Sequence, residues 1–286
     1  MEYACRLQAT GVTITRTKPN AEGSPFDIKT DFRVCQFKPY HPQFNSDVNP
    51  VIKYEDLVPR PDSRLAANVQ VVTFENQLFV HKFMSEESEQ CEFEAEVERY
   101  QMLKGCEGVP EFRGVVRRQG LLQGFLISYI EGDNLWTITR EMIKGDPELL
   151  DITRRIIEVA VKLEQRGIYH QDLKCQNIVR RRSDGDIYFI DFGAGTTEGM
   201  YPTEHGAKIR RDGANAADAM YILGMTLRQL WTSAHPKEDV QLDCVRNQSV
   251  CMIIEDCIKR RFQTIETLCG EHYGEKSTYW NTKTTN

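Results

Sequence analysis

Between residues 169 and 179 the sequence reads YHQDLKCQNIV, setting His170, Asp172, Lys174 and Asn177 among apolar neighbours. Another carboxylate, Asp191, follows in YFIDF at 188–192. The runs NIVR (177–180) and DIYFID (186–191) flank a Ser-Asp-Gly turn, the signature of a β-hairpin. Antiparallel pairing of those runs brings Asn177 and Asp191 to one edge, close to Asp172. Carboxylate and carboxamide oxygens are what Mg²⁺ accepts when phosphate oxygens and water fill its remaining positions. Metal-assisted phosphoryl transfer is the chemistry such a set can perform. The plainer alternative is four polar residues in a turn.

The stretch before this loop, DITRRIIEVAVKLEQRG, places Ile152, Ile156, Val159, Ala160 and Leu163 on one helical face and ends at Gly167. The loop is therefore anchored on an amphipathic helix. Upstream, the alternation of QLFVHKF puts Lys82 on one face of a strand, and Glu96 follows 14 residues later in EFEAEVERYQMLKG. There Phe93, Glu96, Tyr100 and Leu103 fall at i, i+3, i+7 and i+10, so a carboxylate sits in an apolar stripe. Two readings are open. Glu96 is one of several solvated glutamates while Ala95, Val97 and Met102 carry the core face, or Glu96 points inward and pairs with an inward Lys82. An unpaired buried charge is costly, so an inward glutamate requires such a partner. The pair could be purely structural, and it also suits a phosphate-binding ammonium.

The chain has 286 residues, 40% hydrophobic and 27% charged, enough for one large domain or two lobes. A formal charge of -6 argues against nucleic acid as a partner. Nine cysteines without a CxxC pair predict free thiols in a reducing compartment. The first residues lack the apolar core of a signal peptide, and no run approaches the ~18 apolar residues of a membrane span. A cytoplasmic or nuclear protein without membrane association is the expectation. Residues 1–50 hold one alternating stretch, GVTITRT, and otherwise Pro, Asn and Gly with weak periodicity, as in an extension. Short β-type runs dominate 51–130: NVQVVTF, QLFVHKF, GVVRR and LLQGFLISYI, interrupted by the helix that carries Glu96. Helical patterns follow from about 134, with the hairpin in their midst.

HQDLKCQN (170–177) resembles the protein-kinase catalytic-loop pattern H-R-D-x-K-x-x-N, and IDFG (190–193) resembles the metal-binding D-F-G. FVHK (79–82) is similar to the V-A-I-K strand, Glu96 falls where the αC glutamate stands, and LISYIEG (126–132) looks like the hinge between lobes. The likeness covers roughly 52–275. It implies an α+β, bilobal kinase-like fold at 51–275, with a β-rich N-lobe (51–130), an abbreviated helical C-lobe (131–275), an extension (1–50) and a tail (276–286).

By position, the resemblance implies that Asp172 accepts the substrate hydroxyl proton and that Lys174 neutralises the γ-phosphate. Asn177 and Asp191 would hold Mg²⁺, and Lys82 would grip the α and β phosphates of ATP under Glu96. Val80 and Val179 would sandwich adenine, Ile127 would be the gatekeeper, and the backbone of Ser128, Tyr129 and Ile130 would face the base. His170 would pack beneath the D-F-G segment. Several positions depart from the family. Residues 52–72 should contain the phosphate-covering loop yet have no glycine, with SRLAAN as its candidate. Gln171 replaces the arginine that pairs with a phosphorylated activation loop. YPTE (201–204) stands where A-P-E is usual, with Arg260 or Arg261 as partners for Glu204. Asp218 lies one residue off the αF aspartate, which leaves a helix N-terminal role open. Thr196, Thr197 and Thr203 are candidate autophosphorylation sites.

Three function classes follow: an ATP-dependent serine/threonine protein kinase, a small-molecule kinase, or a pseudokinase that binds nucleotide with little turnover. Lys174 favours the first, because small-molecule kinases usually place another residue there. The short activation segment favours the second, and the glycine-free loop the third.

Overall fold

A computed structural model of the chain describes residues 4–7, 12–16, 28–32, 50–66, 68–83, 90–138, 146–193, 215–233, 242, 245 and 247–273. β1 (Ala4–Leu7), β2 (Val12–Arg16) and β3 (Ile28–Phe32) form an antiparallel sheet in that order. β2 is VTITR, the middle of the alternating stretch. β1 and β3 lie in a segment of weak periodicity, where pairing to β2 supplies the ladder that composition did not signal.

The main sheet has six strands: β4 (Val51–Lys53), β5 (Val58–Ala66), β6 (Val69–Phe74), β7 (Gln77–Phe83), β8 (Phe112–Arg118) and β9 (Leu121–Ser128). Their order is β4-β8-β9-β7-β6-β5, antiparallel except that β4 runs parallel to β8. Helix α1 (Gln90–Met102) is inserted between β7 and β8. A small sheet of β10 (Gly132–Asn134), β11 (Ile178–Arg181) and β12 (Ile187–Phe189) lies among the helices α2 (Asp146–Glu164), α3 (Ala216–Thr232), α4 (Gln248–Ile258) and α5 (Ile265–Tyr273). The fold is thus α+β and bilobal, a β-rich lobe carrying α1 followed by a helical lobe.

Turn chemistry sets the register of the strand that carries Lys82. Glu75 (φ 48°) and Asn76 (φ 61°) both adopt left-handed backbone, the geometry of a two-residue hairpin turn whose twist matches the strands. Phe74 then faces Gln77 and Val69 faces Lys82. Period-2 alternation sends Phe79 to a smaller core with Ile52, Leu57, Val72, Val116 and Leu126. Val80 lies on the other face, against the main core. That main core runs continuously from Phe93, Val97, Tyr100 and Leu103 of α1 through Ile152 and Ile156 of α2 to Met220, Leu223 and Leu227 of α3. Phe93, Glu96, Tyr100 and Leu103 are all buried, whereas Met102 is 55% exposed. The apolar stripe containing the carboxylate is therefore the inward face of α1, joined there by Val97.

The glycine-free segment 52–72 forms β4, a short 3-10 turn at Tyr54–Asp56, β5 and the start of β6. Ala66 pairs with Val69, so β5 and β6 form an antiparallel hairpin, and Ala67 of the SRLAAN candidate lies outside the described residues. β5 is one of the two edge strands, with register shifts between Pro59, Arg64 and Ala66, a place where proline is tolerated. Asp218 is the third residue of α3 and forms a reciprocal capping box with Asn215. It also lies 3.7 Å from Arg260. Arg261 pairs with Asp256 at 2.5 Å, and His272 Nε2 reaches the same carboxylate at 2.9 Å. Glu204, Thr196, Thr197, Thr203 and the YPTE segment lie outside the described residues. Cys106, Cys175, Cys251, Cys257 and Cys269 are free thiols. Among the described residues no helix is long and apolar enough to cross a membrane.

His81 gives the β-rich lobe an acid limit. It is buried, packs edge-on to Tyr54 and against Phe83, and its Nε2 has no hydrogen-bond partner. Burial pushes its pKa down from 6.5 to about 4. Between those values the folded state binds fewer protons than the unfolded chain, so stability is present above pH 6.5 and lost as pH falls through 4. The expected size is up to about 3 kcal/mol. His81→Leu should flatten the acid limb of a denaturation series between pH 6.5 and 4, and an unchanged limb would assign it to other groups.

Candidate active site

The loop 169–177 leaves α2 through Gly167, whose φ of +69° turns the chain back under the helix. His170 joins it to the segment that carries Asp191. Its Nε2 donates to the Ile190 carbonyl at 3.0 Å, and its Nδ1 accepts the Asp172 N–H at 3.2 Å, which assigns the tautomer. Burial pushes the imidazole down to about 4, and the ring packs 4.7 Å from that of Phe192. His170 is thus a neutral structural bridge at neutral pH.

Asp172 is buried, with Oδ2 held by Lys174 Nζ at 2.6 Å and by Asn177 Nδ2 at 3.1 Å. Asn177 Nδ2 also donates to the Asp172 carbonyl at 2.8 Å, so both of these bonds use the amide nitrogen and neither uses Oδ1. Burial raises the Asp172 carboxyl above its ordinary pKa, while Lys174 and Asn177 oppose that rise. The expected hairpin forms, with Ile178 facing Phe189 and the Ile190 N–H donating to the Asn177 carbonyl at 2.9 Å. Asn177 and Asp191 therefore flank the same hairpin edge.

Asp191 has left-handed backbone, φ 64°, a conformation that surrounding contacts must hold. Helix α1 supplies them. Tyr100 Oη accepts the Asp191 N–H at 3.2 Å, and Arg99 Nη1 donates to the Phe192 carbonyl at 2.7 Å. One turn earlier, Glu96 receives Lys82 Nζ at 2.8 Å on Oε1 and 2.6 Å on Oε2. The same ammonium lies 2.6 Å from Asp191 Oδ1. One cation thus serves two carboxylates of unequal exposure. Burial works against the Lys82 charge, but Glu96 and Asp191 outweigh it and hold the lysine above its usual range. Burial pushes Glu96, whose side chain is 3% exposed, up to about 7 against the pull of Lys82. Burial also raises Asp191, but Lys82 outweighs it and keeps this more exposed carboxyl below its ordinary value.

Of the expected hinge residues, the Ser128 amide donates to the Glu111 carbonyl at 2.9 Å and the Tyr129 amide to the Leu78 carbonyl at 3.3 Å. Those two amides are therefore used within the lobe itself. Ile127 pairs with Val80 and is buried. Val80 is partly buried against the main core, and Val179 lies in β11 between Asn134 and Tyr188. β10 packs so closely on β11 that a Cβ on Gly132 would meet the Arg180 carbonyl oxygen at 2.1 Å. Among the described residues no group of three or more His, Cys, Asp or Glu could hold a metal alone. A two-residue oxygen set such as Asn177 and Asp191 fits Mg²⁺ that takes its other ligands from phosphates and water.

Sequence reasoning passed over four residues that shape this site: Arg99, Tyr100 as a hydrogen-bonding group, Thr226 and Gln229. The last two are polar side chains inside the apolar run LGMTLRQLW, and that interruption was the available signal.

No family model matches the chain. It is 23% identical over 187 residues to Serine/threonine-protein kinase 1 of Lymantria dispar multicapsid nuclear polyhedrosis virus, covering 54% of this chain and 66% of that protein. It is 37% identical over 70 residues to KEOPS complex subunit Bud32 of Pyrococcus abyssi, covering 24% and 29%. It is 30% identical over 125 residues to Serine/threonine-protein kinase pim-2 of Danio rerio, covering 40% of each. The chain thus spans less than two thirds of the length of the curated relatives it matches. Two of these relatives carry protein kinase in their names, and the two-lobed fold, with a strand lysine shared between a helix glutamate and the hairpin aspartate, makes this chain similar to the protein kinase-like superfamily.

Proposed function

We propose that the chain is an ATP- and Mg²⁺-dependent phosphotransferase acting on protein serine or threonine hydroxyls, with residues 51–275 as its kinase-like domain. The observation that carries this reading is the Lys82 ammonium held between Glu96 and Asp191 at 2.6–2.8 Å. It is an aimed cation beside the Asp172, Lys174 and Asn177 cluster. The names of the viral and fish relatives support the choice of a protein hydroxyl.

In this mechanism Lys82 leaves Asp191 for the α and β phosphates of ATP while Glu96 keeps its Nζ in place. Asn177 Oδ1 and the Asp191 carboxylate would hold Mg²⁺, which would neutralise charge on the transferring phosphates. Asp172, oriented through Oδ2, accepts the proton of the attacking hydroxyl. Lys174 donates to the γ-phosphate as charge develops there. Val80, Val179, Ile127 and the Ile130 amide form the adenine slot.

The reading is tested by thermal denaturation with millimolar ATP, with and without Mg²⁺, followed by transfer of radiolabelled phosphate to a cell extract resolved by size. A ligand at 100 times its Kd stabilises the folded state by about 2.7 kcal/mol, a rise of several degrees. Mg²⁺-dependent stabilisation with label on protein bands is the expected outcome. Label on small molecules would overturn the protein substrate, and stabilisation without transfer would favour the pseudokinase, which the glycine-free turn between β5 and β6 supports.

A further inference from the structure

Helix α3 carries two polar side chains in the interior, Thr226 fully buried and Gln229 at 3% exposure. They stand three residues apart, on one face of the helix. Thr226 Oγ1 lies 2.8 Å from the Leu173 carbonyl and 2.9 Å from the Ile222 carbonyl of its own helix, so its single proton is shared between the two. Gln229 Oε1 accepts the Cys175 N–H at 3.1 Å. Leu173 and Cys175 flank Lys174, whose backbone is extended at φ -157° and ψ 163°. Their carbonyl and amide have no sheet ladder to join, and the two α3 side chains take the place of one.

Gln229 is a poor choice for packing alone. Its Nε2 is buried with no partner, a cost that methionine or leucine of similar volume would not carry. The Cys175 amide, as donor, fixes the orientation that leaves Nε2 unsatisfied. The retained cost buys a fixed loop, because Lys174 reaches back to Asp172 Oδ2 and any slippage of 173–175 moves that carboxylate.

We infer that Thr226 and Gln229 are positioning residues that pin the 173–175 backbone to α3 and thereby set the geometry of Asp172 and Lys174. This rests on the phosphotransferase reading for its kinetic consequence, though the pinning itself can be measured without turnover.

The test uses the full chain carrying Thr226→Val, Thr226→Ser or Gln229→Met. Both Thr226→Val and Gln229→Met should lower kcat for phosphate transfer by about tenfold to a hundredfold, as expected when reacting groups are displaced by an ångström or less, with the KM for ATP unchanged within about twofold. Thr226→Ser keeps the hydroxyl and should recover most of the loss. Hydrogen exchange of the 173–177 amides should accelerate in the Val and Met variants while that of the α3 interior does not. A kcat within about twofold of wild type in both variants, or a loss of equal size in Thr226→Ser, overturns the inference. If the wild-type chain transfers no phosphate, the function reading fails and exchange alone decides: local acceleration at 173–177 sustains the pinning, and unchanged or global exchange overturns it. Should Thr226→Val fail to fold, Gln229→Met decides by the same readouts.

Discussion

Asp172→Asn is expected to lower phosphate transfer by about 10²–10⁴-fold while leaving Mg²⁺-dependent stabilisation by ATP intact. The carboxamide has nearly the shape of the carboxylate and still offers an oxygen to Lys174 and Asn177, which hold Oδ2 at 2.6 and 3.1 Å. What it lacks is the basicity that takes a proton. The substitution spares Asn177 Oδ1 and Asp191, the proposed metal ligands, and Lys82, so nucleotide binding survives. Steady-state kinetics beside a thermal-shift titration separates the two properties. Transfer at the wild-type rate would remove Asp172 from the role of base, and loss of nucleotide stabilisation would make it part of the binding site.

Lys82→Met carries the largest expected effect on stability as well as on transfer. It leaves Glu96, 3% exposed, as a buried carboxylate without its ammonium, a change that costs about 3–5 kcal/mol where the orphaned charge cannot reach water. Glu96 escapes part of that cost by taking up a proton. Its pKa is already raised from 4.5 to about 7 with Lys82 present, and losing the ammonium raises it further. A carboxyl whose folded pKa exceeds its unfolded one favours the folded state at low pH and loses that contribution as pH rises. The deficit of Lys82→Met should therefore be smaller at pH 5 than at pH 8 in denaturant titrations. Lys82→Met combined with Glu96→Gln should restore much of the stability at pH 8 and none of the transfer. A deficit independent of pH would assign the loss to packing around the lysine stem.

The sequence by itself determined the local elements and the order of the chemistry. Glu75-Asn76, Gln119-Gly120 and Ser183-Asp184-Gly185 marked three turns that the strands β6–β7, β8–β9 and β11–β12 flank. Short-range backbone preference and period-2 alternation need no distant partner, which is why QLFVHKF was legible as a strand to the residue. A hairpin between Asn177 and Asp191 was equally local. Glu96 was not: its stripe was visible, but whether the stripe faced inward depended on the sheet against which α1 packs. Only the tertiary structure chose between Glu96 and Met102, by placing one 2% and the other 55% exposed. It also decided that Lys82 bridges two carboxylates 14 and 109 residues away, that Tyr100 and Arg99 hold the strained Asp191 segment, and that the Ser128 and Tyr129 amides are used inside the lobe. Spacing cannot reveal a hydrogen bond such as that from Cys175 to Gln229, because its energy depends on burial and on the approach of segments far apart in the chain. The chemistry was written in residue types; which groups share one proton or one cation was settled by packing.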